Sequence, residues 1–137
     1  MRRALLVLPL VLLAASSGVA APPAFAEGQV WSYRARWQDA GSQLRIWRID
    51  PGAAGRRVVH ISIIGLADWR GRALPEIQHI AVTERALRQS VTVPTDSDAV
   101  FPDPAPSYAE WKRSKGPVWS GTLVALTANV AKSVAPK

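Results

Sequence analysis

The sequence predicts an α+β domain: a small antiparallel sheet, a meander of three to five strands, carrying two or three short helices. Three observations lead there. Apolar and polar residues alternate with period two near residue 30, the period of a strand with one buried face. Two further apolar runs follow, each after a short turn-forming segment, as in a meander. The second half changes character, with helix-capping signatures set between proline-rich stretches.

Residues 1–26 are read as a secretory signal peptide and 27–137 as the single domain. Arg2 and Arg3 precede an apolar run of 12 residues (4–15), and Ala24-Phe25-Ala26 offers small residues where a signal peptidase cuts, so cleavage is expected after Ala26. Twelve residues at ~1.5 Å each reach ~18 Å, short of a ~30 Å hydrocarbon core, so no membrane span is expected after cleavage. The remaining 111 residues are enough for a core without staples. With no cysteine in the chain, disulfides, a thiolate nucleophile and cysteine-ligated metal are excluded. Loss of Arg2 and Arg3 lowers the formal charge from +7 to +5, compatible with an anionic envelope surface.

In "GQVWSYRARW" (28–37), Trp31, Tyr33, Ala35 and Trp37 fall on one side of a strand, and Val30, Ser32, Arg34 and Arg36 on the other. A stacking platform for nucleic acid or glycan puts aromatics and cations on the same exposed face. Here parity separates them, so the expectation is a core-facing aromatic stripe with Arg34 and Arg36 in water. Residues 39–42 have turn chemistry. In "QLRIWRI" (43–49), Leu44 and Ile46 share one face but Trp47 and Ile49 the other, a phase break that means a bulge or a strand covered on both sides. "DPGAAG" (50–55) turns the chain into "RRVVHISIIGL" (56–66), apolar and β-branched as a central strand requires.

Residues 67–76 read as a loop and 77–82 as a short fourth strand. Thr83 caps a helix from Glu84, with Ala86, Leu87 and Ser90 or Val91 facing inward. Residues 94–106 hold four prolines and are assigned to neither helix nor central strand. Ser107-Tyr108-Ala109-Glu110 has capping-box spacing and opens a helix of about seven residues that Gly116-Pro117 ends. Residues 118–123 are a candidate last strand. Leu123, Leu126, Val130 and Val134 are spaced as a helical stripe.

"GQVWSYRAR" (28–36), "VVHISIIGL" (58–66), "ALRQSV" (86–91) and "YAEWKRSKGPVW" (108–119) together resemble a family of small exported bacterial proteins with no established activity. The similarity covers most of residues 27–137 in order and spacing. It implies a compact α+β domain and carries over no catalytic residue. The alanine-rich end after Trp119 departs from the amphipathic ending expected of that family.

The motifs for chemistry are sparse. His60 and His79 lack metal-ligand spacing, and no cofactor is expected. His60 is placed on the less buried sheet face. Ser62, His60 and Asp68 could form a triad only by tertiary accident, and Ser120 lacks a nucleophile-elbow context. Asp96, Asp98 and Asp103 suit solvated turns, and Glu110 suits the capping box. "GLADWRGR" (65–72) could hold an anion weakly. The reading is therefore a non-catalytic periplasmic or secreted interaction module, with an envelope protein as first partner and no nucleic acid. Its candidate contact surface is Tyr108, Trp111, Lys112, Arg113 and Lys115. The runner-up is a weak polyanion or cell-wall glycan binder using Arg34, Arg36, Arg70 and Arg72, with Arg56 and Arg57 beside them; a small hydrolase is third.

Overall fold

A computed structural model describes Gly18 and residues 24–134; residues 1–17 and 19–23, most of the expected signal peptide, lie outside the described residues. The chain forms β1 (Val30–Tyr33), β2 (Gln43–Pro51), β3 (Arg57–Ile64), β4 (Ile77–Thr83), α1 (Glu84–Ser90), β5 (Val91–Thr95), α2 (Ala105–Ser114) and α3 (Leu123–Ser133). All strand pairs are antiparallel, in the order β4-β3-β2-β1-β5. This is the predicted α+β class, with the first four strands as the meander and β5 returning to the free side of β1.

The connection β4–α1–β5 shapes the sheet. A seven-residue helix covers only ~10 Å, whereas four strand spacings would hold the edges of a flat sheet ~19 Å apart. The sheet must therefore curl, and breaks in register between Ile46 and Arg48, Ile61 and Ile63, and Trp31 and Tyr33 supply the bends. The phase break in 43–49 is such a bulge: it returns Ile49 to the core side with Leu44 and Ile46, so Ile49 does not share a face with Trp47, which lies against Tyr108.

On the inside of the curl lies the apolar core. Leu44, Ile46, Val59, Ile61, Ile63 and Val82 pack with Trp31 and Tyr33, and Leu87 of α1 and Leu123 and Leu126 of α3 close it. Thr83 caps α1 as its type and position predict, its hydroxyl accepting from Ala86 N at 3.0 Å. Ala86, Leu87 and Ser90 are buried, while Val91 has left the helix to begin β5. Ser90 Oγ donates to Ala86 O and accepts from Leu123 N at 3.0 Å, so one buried hydroxyl ties the start of α3 to α1. Phe25 belongs to this core too, edge-on to Trp31 at 5.5 Å.

Several expectations change. The alternation after β1 stops at Tyr33, because the chain winds into a 3₁₀ turn at Trp37–Asp39. That rotation throws Trp37 out, 78% exposed, and swings Arg36 in, its side chain 15% exposed. The basic residue sought in water is thus folded inward, onto a fully buried carboxylate at Asp39. The 118–123 segment makes no strand, only a single parallel bridge between Trp119 and Val82 that covers the edge of β4. In α3 the buried stripe is Leu123, Leu126 and Thr127, while Val134 is 43% exposed.

Pro94 lies in β5, an edge strand, where a missing N–H is harmless. α2 starts at Ala105, so the end of the 94–106 segment is helical after all. Proline is tolerated in the first helical turn, and Asp103 Oδ1 accepts from Ala105 N at 3.0 Å. Ser107 is therefore inside the helix, bonded to Gln78 Oε1, and Glu110 pairs with Arg113 rather than closing a capping box.

Candidate functional surfaces

The outer face of the sheet is unlike the inner one. His60 and Ser62 alternate with Val59, Ile61 and Ile63 along β3; on β2, Arg48 stands opposite His60 and Asp50 opposite Val58. The sequence placed His60 on the less buried face. It is 0% exposed, because α2 covers that face. His60 Nε2 meets Asp50 Oδ2 at 3.0 Å, and His60 Nδ1 meets His79 Nε2 at 2.9 Å. Asp50 also accepts from Tyr108 Oη at 3.0 Å and from Arg48 Nε at 2.7 Å. Burial alone would raise the Asp50 pKa, but the bonds from Arg48 and Tyr108 outweigh it and hold the carboxyl below its ordinary range.

An ionised Asp50 orders the tautomers. It accepts, so His60 carries its proton on Nε2 and offers Nδ1 as a lone pair; His79 then donates from Nε2 and keeps its own lone pair on Nδ1. Both rings are neutral at pH 7. Burial lowers the His60 pKa despite the opposing pull of Asp50, and burial together with His60 brings His79 down to about 4. Burial and Asp50 raise Tyr108.

The acid–imidazole–imidazole chain is the surface on which α2 packs. Trp111 lies edge-on to both imidazoles, 4.9 Å from His60 and 5.9 Å from His79, and Tyr108 does the same at 4.9 and 5.7 Å. Trp111 also donates from Nε1 to Pro117 O at 2.8 Å. A Cβ at Gly116 would overlap the Trp111 indole, so this glycine is required for close approach; the left-handed cap itself falls on Lys115, φ 51°. Tyr108 and Trp111 are therefore pegs, and of the candidate contact surface Lys112, Arg113 and Lys115 are exposed. The triad of Ser62, His60 and Asp68 does not assemble: Ser62 bonds Gln78 O, and Asp68 bonds Arg72.

A second surface stands at the end of the sheet. Arg36 grips Asp39 through two bonds, 2.7 and 2.9 Å, and donates to Ala67 O at 2.9 Å; Asp39 Oδ1 accepts from Ala67 N at 2.9 Å. The loop at 67–73 is thereby pinned to the 3₁₀ turn. Asp68 tightens that loop, accepting from the backbone N–H of Arg70 and Arg72 and from Arg72 Nε at 2.8 Å. These bonds hold the Asp68 carboxyl below its ordinary range. Each of the two pinned segments carries a tryptophan in solvent, Trp37 and Trp69, 78% and 66% exposed, and the Arg70 guanidinium lies 4.4 Å from the centre of the Trp69 ring.

The four arginines grouped as an anion surface are thus divided. Arg70 and Arg72 lie in this loop, Arg36 is its half-buried anchor, and Arg34, just past β1, donates to Gln89 O of α1 at 3.0 Å. Trp37 and Trp69 were missed as a site: Trp37 fits a strand's parity as well as a turn's, and Trp69 carries no signal beyond its loop. No protein-family model matches the chain, and neither a curated protein nor a solved structure matches it.

Proposed function

We propose that this chain is an exported, non-catalytic interaction module that meets an envelope protein partner through its Trp37–Trp69 end. The observation that carries this reading is the pair of solvent-exposed indoles on two segments locked together by Arg36 and the buried Asp39. Large exposed aromatics flanked by arginine are the composition of interface hot spots. Rigid mounting lowers the ordering cost of binding. Replacing Trp37 and Trp69 together by alanine should leave the unfolding free energy within ~0.5 kcal/mol, as surface changes do. The same variant should lose the partner that the parent recovers from envelope extracts; an unchanged set of recovered proteins refutes the role.

Export rests on the signal-peptide layout of residues 1–26. A cut after Ala26 would remove Phe25, which packs on Trp31. Mass spectrometry of envelope-fraction protein tests both points. A mature chain starting at Glu27 supports the predicted site, a start upstream of Phe25 moves the cut and keeps the core whole, and an intact Met1 refutes cleavage.

A further inference from the structure

We infer that the molecule holds an oligophosphate-binding groove on a surface distinct from the tryptophan end. Where the β2–β3 turn meets the start of α1 there is an open groove of about 910 Å³, walled by Arg56, Arg57, Arg85 and Arg88, with Glu84 and Ser120 among its other lining residues. The arginines come from two distant parts of the sequence, which the β3–β4 pairing of Val58 with Thr83 brings side by side. Four arginines against one glutamate leave a formal surplus of three positive charges in the lining.

The acid does not compete for a ligand's place; it organises the site. Glu84 accepts from Arg57 at 2.9 and 2.5 Å and from Arg88 at 3.1 Å. Those bonds bring its pKa down to about 2, so it stays ionised and keeps both guanidinium groups fixed. Arg56 and Arg85 are exposed and make no ion pair among the described residues. The wall thus combines two anchored guanidinium groups with two available ones.

The cations of the lining are all arginine, with no lysine among them. Planar guanidinium forks match oxyanions in a bidentate way that ammonium does not. The volume is in the range of whole small-molecule sites, well beyond a single phosphate. A surplus of three charges likewise calls for a multiply charged ligand. A short chain of phosphates meets both demands: each unit offers paired oxygens, and successive charges lie close enough for neighbouring guanidinium groups.

Calorimetric titration of the full chain with inorganic tripolyphosphate at low salt tests this. Micromolar binding that weakens steeply with added salt is expected, since ion pairs are being exchanged. Arg56→Gln combined with Arg85→Gln should weaken it at least tenfold with an unchanged melting curve, because neither side chain supports the fold. Lys112→Gln, Arg113→Gln and Lys115→Gln together remove three positive charges elsewhere and should leave the affinity within about twofold. Trp37→Ala with Trp69→Ala should also leave it unchanged, which separates this groove from the protein-contact reading. Equal loss in the groove and lysine-bearing variants would reduce the effect to diffuse charge and overturn the site. Citrate binding as tightly as tripolyphosphate would overturn the phosphate assignment, and no heat at millimolar ligand would overturn the groove altogether.

Discussion

Both faces of the sheet carry fully buried side chains, yet they are held by different forces. Inside the curl, Leu44, Ile46, Val59, Ile61 and Ile63 are 0% exposed and offer only apolar surface. Their contribution comes from leaving water and from close packing, and it is nearly independent of pH. On the outer face His60 is equally buried, but it sits in a chain of hydrogen bonds from Asp50 to His79 under two aromatic rings. That face depends on every polar group keeping its partner and on both imidazoles staying neutral. One strand therefore builds a core that tolerates acid and a helix seat that does not.

The largest effect should come from the inner face. Trp31→Ala removes a large side chain, 3% exposed, from the core and should cost ~3–5 kcal/mol in denaturant unfolding. A cost below ~1 kcal/mol would mean the inner face is not where the stability resides. On the outer face, His60→Phe keeps a ring but strips Asp50 and His79 of a partner, at ~1–3 kcal/mol. A neutral result would show that packing of α2, rather than its hydrogen bonds, holds that face.

Acid should separate the faces more cleanly. The His79 pKa falls from the ordinary 6.5 to about 4 on folding. Below 6.5 the unfolded chain therefore binds more protons than the folded one. The contribution of neutral His79 is complete above pH 6.5 and drains away as the pH falls from there toward 4. His60, also lowered by burial, acts in the same direction. Unfolding free energies measured between pH 7.5 and 4.5 should decline in the parent and in Trp31→Ala, and decline less in His79→Phe. Equal slopes in all three would break the comparison. The smallest effect is expected outside both faces: replacing Lys112, Arg113 and Lys115 by alanine should stay within ~0.5 kcal/mol by the same denaturant measurement, since none of the three enters the histidine seat.

Much of this was legible along the chain. The meander follows from apolar runs and turn residues, because strand parity and turn chemistry are local properties. Thr83 as a cap and the bulge near Trp47 could be read for the same reason. Trp31 and Tyr33 were read as core residues because their alternation was real over β1. The failures began where that alternation was carried on to Arg36 and Trp37. Period two holds only while the strand lasts, and nothing in "RARW" (34–37), ahead of the turn signal at 39–42, states where it ends.

What the sequence determined by itself was the fold class, the order of most elements and the absence of any thiol chemistry, since each depends on residue type or near-neighbour pattern. The tertiary structure alone decided the rest. It pinned Ala67 onto Arg36 and Asp39, closed α2 over His60 and His79, stood Trp37 and Trp69 at one end, and brought Arg56 and Arg57 beside Arg85 and Arg88. The physical reason is common to all four. Each joins residues from separate turns, strands or helices, and strand pairing and long-range hydrogen bonds and ring packing, rather than any local spacing, set which of those segments meet.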